Sequence, residues 1–456
     1  MARVASSSLV WLLLAAHGVL AGLTVDVENT DSVKAAAALV AEDLMSLYHG
    51  DEPGNIPGLL PGVEDGDVGW WTGGVMWDTL LDYKSRSGDS KYDGSIERGI
   101  QWQVGSGNNF LPANWSVQLA NSDQGIWAFS ALAANETDLQ LEGNSTQWLT
   151  LANNVFKNLD SEDRRVENGS CAGALRWQIY PFNAGYDYID SSSNIVFMNL
   201  AAQLARLTGN QSYADAAASS YDLLARLGFV TKKFDVYDGA HAEDCKDINK
   251  VQFSWNAGYL VEASAYMYNI SGNDTWRERV DGLVDRTLEL FFPDGVVMEI
   301  ACEKKEVCNS DMYFMKGILL RALATTMQVA PHTADRILPI LKSSAKKAAA
   351  ECTGGNNDRF CGYSWTTGKF DGNMGVAQQL NALSALTSIL PAGEKGSKNN
   401  TGGGNGSGSG NGNGSGNGNG DSQGNDPDND TQGNAGARAS VGLSLLGSLL
   451  LASLLL

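Results

Sequence analysis

Ser271-Gly272-Asn273-Asp274-Thr275-Trp276 reads as one helix ending and the next beginning. The glycine supplies the left-handed conformation that stops a helix, and the asparagine starts the next turn. The aromatic four residues after the glycine then packs into the helix that follows. Thr208-Gly209-Asn210-Gln211-Ser212-Tyr213 and Ser87-Gly88-Asp89-Ser90-Lys91-Tyr92 carry the same signal, and Gly143-Asn144 followed by Trp148 is a looser copy. The copies recur at intervals of roughly 55–66 residues, the length of a helical hairpin with one long loop.

Outward from these turns, strand signals are scarce and apolar residues repeat with helical spacing. That spacing predicts helices over Val33–Tyr48, Trp71–Lys84, Gly94–Val104, Asp123–Asn135, Gln147–Leu159 and Ser193–Leu207. It predicts six more over Tyr213–Leu227, Phe253–Tyr268, Thr275–Phe291, Asp311–Val329, Ala334–Ala350 and Gly375–Leu390. Six hairpins suffice to close a ring. The expected fold is therefore all-α, an (α/α)6 toroid in which each hairpin gives one inner and one outer helix and the loops at one mouth build the site. An open helical solenoid is the structural alternative.

The two ends of the chain read differently from its middle. Residues 1–21 have Arg3, an apolar run and small residues before a cut after Ala21, the pattern of a secretory signal. Residues 22–392 form the folded domain. Residues 393–432 are rich in Gly, Asn and Ser with almost nothing apolar, so they read as a flexible stalk. Residues 433–456 combine small residues, a short spacer and an apolar tail, the pattern of a GPI-attachment signal. Asn434 is the expected attachment residue, with Gly433 and Gly436 open. Such a protein is secreted and held at the outer face of the plasma membrane, or in the cell wall, and meets the membrane only through the GPI lipid.

Composition agrees with that location. Sequons for N-glycosylation stand at Asn114, Asn135, Asn144, Asn168, Asn210, Asn269 and Asn273. The six cysteines are even in number, as an oxidising compartment favours. Cys302 with Cys308 and Cys352 with Cys361 can close small loops, which leaves Cys171 with Cys245, one of fifteen possible pairings. No Cys-x-x-Cys occurs and the four histidines are scattered, so no metal or organic cofactor is implied. A net charge of −20 argues against nucleic acid as a partner.

Several predicted helix starts carry aromatic and polar residues together: Trp70-Trp71-Thr72-Gly73-Gly74, Tyr186 to Asn194, and Phe253-Ser254-Trp255-Asn256. Aromatic faces stack on pyranose rings, while carboxylates and amides bind sugar hydroxyls. Most of the twelve tryptophans serve the core. Trp70, Trp71 and Trp255 stand beside glycines at helix starts, which makes them candidate sugar contacts together with Asp187, Tyr188 and Asp190.

Asn121-Ser122-Asp123-Gln124-Gly125-Ile126-Trp127 resembles the active-site segment of the glycoside hydrolase family 76 α-1,6-mannanases, in their fungal, membrane-anchored branch. Arg176-Trp177-Gln178, Asp247-Ile248-Asn249-Lys250, Trp365 to Lys369 and Gly375 to Gln379 are similar to further segments of that branch. The resemblance implies the toroid fold and endo-acting cleavage or transfer of α-1,6-mannosides. The expected ligand is α-1,6-mannan or the mannose core of a GPI glycan, with cell-wall glucan as an acceptor. In the family the first of two adjacent aspartates is the nucleophile and the second the acid/base. Carried over, Asp123 is the acid/base, Ser122 stands at the nucleophile's position, and Gln124 and Trp127 join the substrate contacts. Three readings of Ser122 are open. It caps a helix in a glycan-binding protein that no longer cuts; or another carboxylate such as Asp187, Asp190 or Glu243 replaces the nucleophile; or the smaller side chain admits a water for an inverting route with a remote base.

Overall fold

The computed structural model describes residues 22–391. The signal segment, the Gly/Asn/Ser-rich stretch, Asn434 and the apolar tail lie outside the described residues. Within them the chain forms α1 (Thr30–Met45), α2 (Trp71–Ser87), α3 (Asp93–Trp102), α4 (Asn121–Glu136), α5 (Trp148–Leu159), α6 (Ser191–Thr208), α7 (Gln211–Leu227), α8 (Ser254–Ser271), α9 (Asp274–Phe291), α10 (Met315–Val329), α11 (Ala334–Ala350) and α12 (Val376–Thr387). A short ribbon pairs β1 (Tyr188–Asp190) with β2 (Gly239–His241) in antiparallel register, Ile189 opposite Ala240. A second ribbon joins β3 (Cys352–Gly354) to β4 (Phe360–Cys361).

The even-numbered helices pack in succession, α2 on α4, α4 on α6, α6 on α8, α8 on α10 and α10 on α12. Helix α12 packs back on α2, so the structure is the closed (α/α)6 toroid and not an open solenoid. Closure is also tied by hydrogen bonds from Arg86 to the Leu390 carbonyl, 3.0 Å, and from Thr387 to Asp82, 2.8 Å. The odd-numbered helices form the outer layer. Their sequences differ accordingly. Helix α5 buries Trp148, Leu151, Ala152, Val155, Phe156 and Leu159, one stripe at helical spacing, as an outer helix should. Helix α4 is buried from Asn121 to Leu132 without a break, as an inner helix enclosed on all sides must be.

The repeated turns do what their residues require. Gly88, Gly209 and Gly272 end α2, α6 and α8 with φ of 82°, 69° and 60°, a region that costs other residues but not glycine. Asn210 and Asn273 then accept hydrogen bonds from the Ser212 and Thr275 backbone N–H groups and cap α7 and α9. In two of the copies the aromatic staples its outer helix to the preceding one: Tyr213 meets Phe156 edge-on at 4.7 Å, and Trp276 meets Tyr221 at 5.5 Å. The looser copy departs from this pattern. Helix α4 ends at Glu136, before Gly143, because the chain reverses at Asp138 (φ 51°) with Leu139 N–H bonded to the Ala134 carbonyl.

These short turns all lie at the ends where inner helices stop. The long connections, 46–70, 103–120, 160–190, 228–253, 292–314 and 351–375, lead into the starts of inner helices. All six inner helices therefore begin at one mouth of the ring. The three disulfides pair as proximity suggested: Cys171–Cys245, Cys302–Cys308 and Cys352–Cys361. Each lies on the long connections, and Cys171–Cys245 ties two of them together.

Candidate active site

The mouth is built from the first turns of the inner helices. Asp123 stands in the first turn of α4, and its Oδ2 accepts a hydrogen bond from the Ala120 N–H at 2.9 Å. This contact holds the carboxyl at a helix start, where the backbone favours negative charge. Burial opposes that preference. Asp123 is only 9% exposed, and burial pushes its pKa up to about 8 against the Ala120 hydrogen bond, with Asp311 and Asp190 adding repulsion. A carboxyl in this position keeps its proton at neutral pH and can donate it to a leaving oxygen.

The α4 start is fixed from outside. The Asn121 N–H donates to the Trp177 carbonyl and its side-chain amide to the Arg176 carbonyl, 2.9 and 2.8 Å, while Arg164 donates to Asn121 Oδ1 at 2.7 Å. Ser122 lies beside Asp123 and is 2% exposed. Among the described residues no base hydrogen-bonds its hydroxyl, so nothing activates it as a nucleophile.

The other predicted site residues divide into mouth and core. Trp71 opens α2 and forms an aromatic wall with Trp255 and Phe314, ring centroids 5.4 and 5.7 Å apart. Trp255 is half-buried, and its buried indole N–H has no partner among the described residues. Trp70, one residue earlier, turns the other way. It is 2% exposed, stacks on Trp127 at 5.0 Å and donates to Gln103 at 2.9 Å. Trp127 is itself sealed between Trp70 and Phe110. Gln124 is fully buried and donates to the Asn109 carbonyl and to Asn158, 2.7 and 2.9 Å. These three residues pack α4 against its neighbours. Consecutive positions in a helix point about 100° apart, which separates Trp70 from Trp71 and the Gln124 side of α4 from Asp123.

Asp190 is at the mouth but engaged. Its Oδ2 accepts from the Ser193 N–H at 3.1 Å and from the Ser192 hydroxyl, capping α6, and burial raises its pKa to about 6. Tyr188 donates to Asp238 at 2.7 Å. Asp187 is largely exposed and pairs with His241 at 3.1 Å, and Glu243 is exposed as well. Neither is among the charges that act on Asp123.

Three groups escape the sequence reading. Asp311 accepts a hydrogen bond from Trp71 Nε1 at 3.2 Å, a partner 240 positions away. Burial raises its pKa, and the Trp71 N–H moderates the rise. Glu299, fully buried, accepts from the Ser254 N–H and hydroxyl, 3.1 and 2.5 Å, and so fixes the start of α8; burial pushes its pKa up to about 7. Lys316 is fully buried against Glu303 at 3.1 Å, with Tyr363 and Trp365 rings over its ammonium. Glu299 had a visible signal, a glutamate inside the apolar run Val296-Val297-Met298-Glu299-Ile300. Asp311 had none, since its meaning lies in a distant tryptophan.

Known proteins are similar to this chain in sequence and fold. The glycosyl hydrolase family 76 model matches residues 32–401. The chain is 35% identical over 368 residues to a mannan endo-1,6-α-mannosidase of Saccharomyces cerevisiae, covering 80% of each chain. It is 33% identical over 376 residues to a Candida albicans protein of the same description, covering 81% of this chain and 82% of that one. Among solved structures, Dfg5 from Chaetomium thermophilum in complex with glucosamine superposes with a TM-score of 0.78 at 40% identity, over 80% of this chain and 92% of that one. An inactive variant of a Salegentibacter α-1,6-mannanase, with two consecutive aspartates replaced and α-1,6-mannotriose bound, shares the fold at a TM-score of 0.63 and 15% identity, over 78% of this chain and 98% of that one. With the family model spanning most of the ring and relatives of this similarity on both counts, the chain belongs to glycosyl hydrolase family 76.

Proposed function

We propose that this protein cleaves α-1,6-mannosidic bonds, or transfers the mannosyl fragment to an acceptor, at the mouth of the ring. The observation that carries the reading is Asp123: a buried carboxyl held at a helix start by the Ala120 N–H, its pKa pushed up to about 8 by burial and by Asp311 and Asp190. The fungal relatives, described as mannan endo-1,6-α-mannosidases, support the substrate class. The finer reading takes its substrate as mannan backbone or the mannose core of a GPI glycan, with cell-wall glucan as acceptor where transfer replaces hydrolysis. The leader and the GPI-type tail support a place outside the plasma membrane, on a GPI lipid or in the wall of a fungal cell. Asp123 is the acid in this scheme, and Trp71 and Trp255 hold the sugar.

The test is turnover of α-1,6-mannotetraose, followed by separation of the products, alongside a binding measurement on the same sample. Cleavage abolished by Asp123→Asn supports the reading. Ser122 favours a second reading, a glycan-binding protein without catalysis. Tight binding with no products in the wild type selects it.

A further inference from the structure

Two turns at the short-turn end of the ring carry more than a helix cap requires. Asn210 and Asn273 accept the Ser212 and Thr275 N–H groups on Oδ1, at 3.0 and 2.7 Å, and so start α7 and α9. Asparagine, aspartate and serine cap a helix about equally well, so capping does not call for asparagine. Nor does it call for a hydroxyl two positions later. Yet Asn210-Gln211-Ser212 and Asn273-Asp274-Thr275 both have one, which makes each cap the first residue of an Asn-x-Ser/Thr sequon. The Thr275 hydroxyl is exposed and has no hydrogen-bond partner among the described residues.

The turn at Gly88 is an internal control. Asp89 fills the same place and makes the same bond, its Oδ1 accepting the Lys91 N–H at 2.9 Å. Its Oδ2 accepts the Tyr83 hydroxyl at 2.6 Å, so both outer atoms of that side chain are committed, and no sequon is present. At Asn210 and Asn273 the second outer atom, Nδ2, has no partner among the described residues. Both residues are exposed, and a Cβ built on the preceding Gly209 or Gly272 meets nothing within 4 Å. The other sequons in the described residues differ. Asn269, four positions before Asn273, gives its Nδ2 to the Val329 carbonyl at 3.0 Å, which ties α8 to the end of α10. Asn135 is half-buried in the last turn of α4. Asn114, Asn144 and Asn168 are exposed but cap no helix.

We propose that Asn210 and Asn273 serve twice: each caps its helix through Oδ1 and carries an N-linked oligosaccharide on Nδ2, at the end of the ring away from the mouth. The inference is independent of the mannoside reading. It rests on passage of the chain through the export route that the leader implies. In the transfer, Nδ2 bonds to the anomeric carbon of the oligosaccharide and loses one proton to a base of the transferring enzyme. The bond from that carbon to a polyprenyl diphosphate carrier breaks, and the diphosphate leaves. What remains on the protein is a secondary amide. Its Oδ1 is untouched, so the Ser212 and Thr275 N–H groups keep their acceptor and the caps stand under the sugar. On Asn269 the same transfer puts the sugar on an atom packed against the end of α10, so Asn273 is the acceptor of that pair. At Asp89 no nitrogen is available, and the turn serves the fold alone.

The experiment expresses the full chain in a yeast host and treats it with peptide N-glycosidase in heavy-oxygen water, which turns each modified asparagine into a labelled aspartate for peptide mapping. The wild type is compared with Ser212→Ala, Thr275→Ala, and the aspartate and alanine variants at positions 210 and 273. Melting temperature and α-1,6-mannotetraose turnover are read on untreated samples of each. The expected result is label at Asn210 and Asn273 and none at Asn269. Ser212→Ala should lose the Asn210 label and Thr275→Ala the Asn273 label. These variants and the aspartate variants keep the cap and should melt within about 1 °C of the wild type. The alanine variants lose cap and sugar together and should melt about 1–3 °C lower. No label at Asn210 and Asn273, with label at Asn114, Asn144 or Asn168, overturns the proposal and leaves export standing. So does label at Asn269 in place of Asn273. No label at any sequon overturns both. An aspartate variant that melts as low as the alanine variant also overturns the proposal, since the sugar and not the cap oxygen would then hold the turn. A chain that carries both glycans and cleaves no mannoside supports the proposal and counts only against the mannoside reading.

Discussion

The two ends of the ring are built by opposite rules. At the short-turn end, one solution is used repeatedly: a left-handed glycine, a capping asparagine and an aromatic staple, as at Gly209, Asn210 and Tyr213 and again at Gly272, Asn273 and Trp276. At the mouth no two helix starts are alike. Asp123 is tied to the backbone before α4, Asp190 caps α6, Glu299 reaches α8 from another connection, and Asp311 binds the first residue of α2. The repeated end is assembled from local contacts. The mouth is assembled from contacts between residues far apart in the chain. The difference places buried carboxyls, whose pKa values burial raises, at the end where ligands enter and satisfies the other end with neutral caps.

The largest effect expected is at Asp123. Asp123→Asn should lower turnover of an α-1,6-mannoside by about 10²–10⁴-fold, measured as kcat. The wild type should lose activity as pH rises through about 8, where Asp123 gives up its proton. The same residue links function to stability. Its folded pKa is raised above the unfolded carboxylate range near about 4, so the folded state holds a proton that the unfolded chain has released. Stability is complete below that unfolded value and is lost as pH rises through the folded pKa of about 8. Asp123→Asn escapes this loss while keeping an acceptor for the Ala120 N–H. It should melt higher than the wild type at pH 7, on the order of a few kcal/mol in stability, and the gap should close near pH 4. A variant that is inactive and also less stable at pH 7 would break the distinction drawn here between the two ends.

The repeated end was legible because its chemistry is local. Gly209, Asn210 and Tyr213 lie within five positions, and each acts on its immediate neighbours. Helix positions followed from the same locality: α11 occupies the expected Ala334–Ala350, and α4 extends the expected segment by only a residue or two at each end. The mouth was legible only in part. Asp123 could be found from its segment, and Trp71 and Trp255 from their places at helix starts. Trp70, Trp127 and Gln124 have the same residue types in the same segments, yet their side chains face the packing between helices, a matter of helix phase set by tertiary contacts. Asp311 and Glu299 gain their roles from partners on other hairpins, Trp71 and Ser254, and residue type alone carries no trace of such pairing.

Adjacent tryptophans sharpen the comparison next. Trp70→Ala should cost about 3–5 kcal/mol in a denaturant titration, because it empties the stack with Trp127 in the core. Trp71→Ala should cost stability as well, since Trp71 is buried against Trp255 and Phe314, and should in addition weaken mannotriose binding and kcat, since it holds Asp311 at the mouth. Below these comes the disulfide between mouth loops. Replacing Cys171 and Cys245 together removes a closure spanning 74 positions and should cost about 2–4 kcal/mol, while Cys302 with Cys308, only 6 positions apart, should cost less. Equal losses would mean that the mouth is held by packing rather than by its cross-link.

The smallest effect belongs to the repeated end. A Cβ added at Gly209 or Gly272 meets nothing within 4 Å, so Gly209→Ala and Gly272→Ala introduce no clash. What remains is the left-handed backbone, φ 69° and 60°, which an alanine holds at a cost of about 1–2 kcal/mol. Alanine also reduces the freedom of the unfolded chain, which offsets part of that cost. Thermal unfolding of each variant should therefore show a small drop, with kcat unchanged because the mouth lies at the other end of the inner helices. If Gly209→Ala instead lowered kcat without lowering the melting temperature, α6 would transmit strain along its length to Asp190 at its start, and the two ends could no longer be treated as independent.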